Sequence, residues 1–134
     1  PEPPLLPPDP AGRARVRAMA ALVGCDIHPL NNLRVLKALR ESFDATPDQT
    51  DAWAARWITA GFAALEALVA DHGDGWTYGS APSLADCYLI PQIYSARRFN
   101  VALDAWPRLL AIESAADAHP AFITAHPDRQ PDAD

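Results

Sequence analysis

Residues 26–36 read Asp-Ile-His-Pro-Leu-Asn-Asn-Leu-Arg-Val-Leu, and the polar members have the types and spacing of a binding site. On a helix His28 and Asn32 are four apart and share one face, while Asn31 and Arg34 share another by the three-residue step. Pro29 lacks an N–H and crowds the carbonyl of Cys25, so a bend or a freed carbonyl is expected there, and a ligand can use such groups. The competing reading is a capped restart of the helix. Asp26 or His28 would then lie near the new N-terminus, the asparagines would bond backbone, and Arg34 would be solvated. Arg97 and Arg98 are the second candidates. Arg98 continues the stripe of Leu84, Cys87 or Tyr88, Pro91 and Tyr94, and Arg97 the stripe of Ile90 and Ile93. Cations at a helix C-terminus complement its dipole, and a guanidinium there can also grip a carboxylate with two parallel bonds.

Other groups carry less. Glu66 and Asp86 could suggest an acid/base pair, but Asp86 fits a helix cap better and Glu66 a solvated face. His72 and His119 sit in or beside loops, and no His, Asp or Glu grouping has metal-ligand spacing. There is no nucleophile motif, phosphate loop or nucleotide fingerprint. Cys25 and Cys87 lie far apart in sequence and form neither a metal pair nor a redox pair, so reduced, buried thiols in a cytoplasmic protein are expected.

The elements that must position these residues are helical. Asp9-Pro10 is a helix start, with Asp as N-cap and Pro at the first position. From Val16 to Phe43 apolar residues recur at helical spacing, which predicts one long helix bent near Pro29, or two joined there. Thr46-Pro47-Asp48 breaks the pattern. Residues 48–71 then carry two adjacent stripes, a wide buried face, with Gly61 suggesting close helix approach. A glycine-rich loop follows, and Ser83-Leu84-Ala85-Asp86 has the form of a capping box. The helix it opens, 84–98, is apolar almost all round and belongs at the centre. A helix with Pro107 near its start and a last one from His119 to His126 complete an all-α bundle of about five helices. No segment alternates as a strand does.

Fourteen prolines among 134 residues are concentrated at the two ends, so the folded part is the middle. Residues 1–9 read as a linker, 10–126 as one domain and 127–134 as an irregular tail. A net charge of −6 opposes a nucleic-acid or anionic-membrane surface. No apolar run approaches the ~20 residues of a membrane span.

The segments "IHPLNNLRVLKAL", "WITAGFAALEALVA", "GSAPSLADCYLIPQIYSARRF" and "AHPDRQPDA" together resemble the zeta class of glutathione transferases, the maleylacetoacetate and maleylpyruvate isomerases. The likeness runs from about Leu5 to Ala133 and covers the helical C-terminal domain of that family. It implies that an N-terminal thioredoxin-like domain, which holds glutathione and activates its thiol, is absent from this chain, roughly 80 residues by analogy with domain sizes. It also implies a cis-to-trans isomerisation of a maleyl dicarboxylate, in which glutathione thiolate adds to the alkene, the single bond rotates, and elimination returns the fumaryl product.

By the same resemblance Arg98 matches an arginine that binds a substrate carboxylate, and Arg34 an arginine of the maleylpyruvate side. His28 and Asn32 match glutathione-contacting positions, while Ser83 and Asp86 match a structural capping box. Nothing in this domain matches a catalytic thiol activator or a metal ligand. The expected partners are glutathione, a small dicarboxylate, the absent domain and a second copy in a homodimer. The chain alone is then expected to be inactive. Two further readings use the same scaffold: a transferase acting on other electrophiles, and a non-catalytic binding or assembly module.

Overall fold

Asp9 starts the first helix, its extended backbone turning in as the side chain accepts from Gly12 N at 2.7 Å. The computed structural model describes residues 4–133; Pro1 to Pro3 of the expected linker and Asp134 of the expected tail lie outside the described residues. The helices are α1 (Pro10–Ala21), α2 (Leu33–Phe43), α3 (Pro47–His72), α4 (Leu84–Arg98), α5 (Pro107–Asp117) and α6 (Pro120–Ala125). Among the described residues there is no strand, only one isolated bridge between Gly73 and Gly79. The all-α expectation holds.

The five expected helices are present, but the first is divided in two rather than bent. After α1 the backbone widens into a π turn, Leu22–Ile27, then tightens into a 3₁₀ turn, His28–Asn31. Asn32 is extended, at φ −63° and ψ 144°, and caps α2. Pro29 cannot donate to the preceding turn, so the α register is lost around it. The expected irregular tail opens with an ordered 3₁₀ turn, Pro127–Arg129.

Helix starts follow their cap residues. Thr46 Oγ1 accepts from Gln49 N at 3.3 Å while Gln49 Oε1 accepts from Thr46 N at 2.8 Å, which fixes the start of α3. Leu5 O accepts from Leu84 N at 2.8 Å, so the entering chain lies on the start of α4.

One core joins the elements: Val16, Met19, Val23 and Ile27 meet Ile58, Phe62, Leu65 and Val69 of α3, and Leu89, Ile93 and Ala96 of α4. Trp106, at the start of α5, sets its ring edge-on to Phe62 at 5.4 Å. Full burial of such side chains contributes about 1.5–3 kcal/mol each before entropy is counted. α4 is central, yet it buries only one side, through Ala85, Asp86, Leu89, Gln92, Ile93 and Ala96; Cys87, Tyr88 and Pro91 are exposed. The expectation of buried thiols is therefore corrected. Cys25 and Cys87 are free but exposed, Cys25 because it falls in the widened turn and Cys87 because it lies on the outer side of α4.

Candidate functional site

The 28–31 turn is pinned from below by α3. Trp53 Nε1 donates to Leu30 O at 2.9 Å, and Gly61 leaves room for Ile27, whose Cγ1 and Cδ1 a Cβ there would overlap. Gly24 likewise admits the ring of Tyr88, with Cε1 2.9 Å from where its Cβ would be. The sequence's expectation of close approach at Gly61 is met.

On this platform His28 is exposed and Asn32 half-buried. Asn32 Oδ1 accepts from Arg34 N at 3.1 Å, so the capped-restart reading holds for that side chain. Its NH₂ is not used in that bond. The face shared by His28 and Asn32 presumed α geometry; a 3₁₀ turn ending in an extended residue removes that four-residue step. Asn31 and Arg34 do not make the expected pair either, since Asn31 is buried and Arg34 exposed. The N-terminus of α2 presents its positive dipole end to the same region, although Asn32 already accepts from the N–H groups of Arg34, Val35 and Leu36.

At the other end of the candidate set, Arg97 is engaged by Glu113 of α5, through Nε at 3.1 Å and Nη2 at 2.5 Å. Arg98 is exposed, and among the described residues no hydrogen bond or ion pair holds it. One turn earlier Tyr94 donates to Asp128 Oδ1 at 3.3 Å and meets the His126 ring edge-on at 5.7 Å. The 3₁₀ turn of the tail is thereby fastened to the last part of α4.

Ser83 and Asp86 serve the fold. Asp86 is fully buried and accepts from Ser83 N at 2.7 Å, Ser83 Oγ at 2.8 Å and Thr77 N at 2.9 Å, so it joins the helix start to the preceding loop. Glu66, expected on a solvated face, is instead a cap in trans. It accepts from Arg108 N, Arg108 Nη1 and Leu109 N, each at 3.1 Å, at the start of α5. Sequence reasoning missed this because the partners lie 42 and 43 residues away. It also missed the burial of Asn31, although Trp53, whose indole reaches Leu30 O, was the available sign of a surface against that turn. No group of three or more His, Cys, Asp or Glu among the described residues could hold a metal.

The model of the glutathione S-transferase C-terminal domain family matches residues 47–113, half of the chain. The chain belongs to this family.

Among proteins similar to this glutathione transferase domain, maleylacetoacetate isomerase of Pseudomonas aeruginosa is 53% identical over 132 residues, covering 98% of this chain and 61% of that protein. A solved holo structure of maleyl pyruvate isomerase, a bacterial glutathione S-transferase in the zeta class, matches with a TM-score of 0.96 at 50% identity. It covers 99% of this chain and 64% of that one. Maleylacetoacetate isomerase from Anaeromyxobacter dehalogenans 2CP-1, with bound dicarboxyethyl glutathione and citrate in the active site, gives a TM-score of 0.94 at 49% identity, covering 99% of this chain and 59% of that one. The zeta-class resemblance is borne out. The glutathione transferase domain spans about three fifths of the length of these relatives. No helix in the described residues is long and apolar enough to cross a membrane.

Proposed function

We propose that this domain is the C-terminal part of a glutathione-dependent isomerase that converts a maleyl dicarboxylate, maleylacetoacetate or maleylpyruvate, to its fumaryl isomer. The observation that carries the reading is the contrast at the end of α4. Arg97 is closed by Glu113, whereas the adjacent Arg98 keeps an exposed guanidinium with no partner among the described residues. Such a fork is always charged and suits one carboxylate of the substrate. Arg34, exposed in the first turn of α2, is the candidate for the other.

Glutathione supplies a thiolate nucleophile when bound. His28 and the N-terminus of α2 fit it: an exposed imidazole stands beside a helix end whose dipole favours a peptide carboxylate, and Asn32 adds an amide donor. Arg98 meets the negative charge that grows on the oxygens next to the reacting double bond, and a fixed cation there lowers the barrier. A thioredoxin-like domain preceding this one would provide the thiol activator, in line with the greater length of the relatives. Exposed free thiols suit a reducing cytoplasm. Leu33 and Phe43, 62% and 76% exposed at the two ends of α2, suit a face covered in a homodimer.

The test is an assay of the full-length protein on maleylacetoacetate and maleylpyruvate, with and without glutathione. Glutathione-dependent formation of the fumaryl product is expected from at least one. Arg98→Ala should depress that turnover far more than transfer to a neutral electrophile, and equal losses on both would remove Arg98 from the carboxylate role.

A further inference from the structure

α2 carries Arg34, and it is thinly anchored. Of its 11 residues only Leu36 is buried. Among the described residues its one side-chain hydrogen bond to another helix runs from Arg40 Nη2 to Thr50 Oγ1 of α3, at 2.9 Å. Thr50 is fully buried, and its own hydroxyl proton is committed to Pro47 O at 2.8 Å, so toward Arg40 the oxygen can only accept. On the same face of α3, at the three-residue step, Trp53 Nε1 donates to Leu30 O at 2.9 Å. Two neighbouring residues of α3 thus grip the chain at positions 30 and 40, on either side of Asn32 and Arg34.

The two grips do different things. The bond at Leu30 fixes where the chain enters α2, but one point cannot set how the helix is rolled about its axis. Leu36 and Arg40 are four apart and share a face, so the Arg40–Thr50 bond holds that face toward α3. Arg34 is two residues before Leu36, roughly 200° around the helix, and is therefore turned outward, where it is exposed. A change of roll would carry the long side chain of Arg34 through a wide arc, while Asn32, beside the Leu30 grip, would move least. Arg40 is itself exposed, and its loss leaves the Thr50 proton on Pro47 O, so no buried donor is orphaned and the fold should stand.

We propose that Arg40 is a positioning residue for the maleyl substrate: by bonding to Thr50 it sets the roll of α2 and holds the Arg34 guanidinium where a substrate carboxylate meets it. This rests on the carboxylate role proposed for Arg34. A guanidinium that grips a carboxylate with two parallel bonds depends on orientation as well as charge, so the roll of the helix matters to it. The effect falls on the maleyl substrate and not on glutathione, whose candidate contacts His28 and Asn32 lie at the Leu30 end.

The experiment is steady-state kinetics of the full-length protein on whichever of maleylacetoacetate and maleylpyruvate it turns over, with glutathione varied separately. Arg40→Ala is expected to raise KM for the maleyl substrate about threefold to tenfold and to change kcat and the glutathione KM less than about twofold. Arg40→Lys, which keeps a cationic donor, should recover part of that loss. Arg34→Ala should raise the same KM, and adding Arg40→Ala to it should do nothing more, because a residue that acts through Arg34 has no effect once Arg34 is gone. A normal KM in Arg40→Ala, or a full second loss in the double variant, overturns the inference; the latter is what a general loosening of the fold would produce. If Arg40→Ala does not fold, Arg40→Met, which keeps the apolar stem, is read by the same criteria. Arg34→Ala separates the two readings: a normal KM in that variant removes the underlying role of Arg34, whereas a raised one beside a normal KM in Arg40→Ala removes the positioning inference alone.

Discussion

Arg97 of α4 grips Glu113 of α5 with two parallel bonds, and the carboxylate holds its guanidinium above the ordinary arginine value. The arginine remains half exposed, so solvent screens the pair and its net worth is about 0.2–1 kcal/mol. Arg97→Ala should lower the denaturation midpoint slightly and leave the preference for maleyl over neutral substrates unchanged. A loss of that preference would mean that Arg97, and not its neighbour, faces the substrate.

Glu66 holds two backbone N–H groups at the start of α5 and is only 13% exposed in its side chain. Glu66→Ala leaves those donors unserved and should cost about 1–3 kcal/mol by chemical denaturation. Arg108→Ala removes only the outer ion pair and should cost below about 1 kcal/mol. Equal costs would show that the backbone cap contributes nothing.

Gly61→Ala places a methyl against fully buried Ile27 and should destabilise the fold by about 1–3 kcal/mol. Ile27→Ala in the same protein should recover part of the Gly61→Ala penalty, because the overlapping atoms are gone. A double-mutant cycle checks this, and strict additivity would show that the two residues are not coupled.

Although Cys87 is exposed as a residue, partial desolvation of its thiol lifts it above its ordinary value, and the adjacent Asp86 carboxylate lifts it further. The folded state therefore holds this proton more tightly than the unfolded state. Its contribution to stability is present below the unfolded value of about 8.5 and is lost as pH rises through the higher folded value. Alkylation of Cys87 at pH 8, followed by mass spectrometry, should be slower than that of a cysteine in an unstructured peptide. Cys87→Ser should shallow the alkaline fall in stability.

Much of the architecture was legible because it is local. Thr46-Pro47 and Ser83-x-x-Asp86 announce α3 and α4 through groups three residues apart, and the two stripes of α3 describe its buried face. The segment from Leu22 to Asn32 was harder to read. A periodicity of 3.6 residues presumes the α register, and the π and 3₁₀ turns depart from it in opposite senses. His28 and Asn32 were therefore paired on a face that does not exist. Glu66 escaped for another reason: its role depends on which helices meet, and a carboxylate bound to a distant backbone has the same sequence signature as a solvated one.

The two ties on α4 carry a consequence for the order of events during synthesis. Leu5 O accepts from Leu84 N at its start, and Asp128 accepts from Tyr94 in its second half. The middle of the bundle is thus secured by one of its earliest segments and one of its latest. On a ribosome α4 can form and dock against α1, but its second fastening must wait until the residues around Asp128 have emerged. Contacts of such wide sequence separation form late and slow the final consolidation. The last part of this helix, with Arg98 one turn beyond Tyr94, should be among the final places in the domain to become rigid.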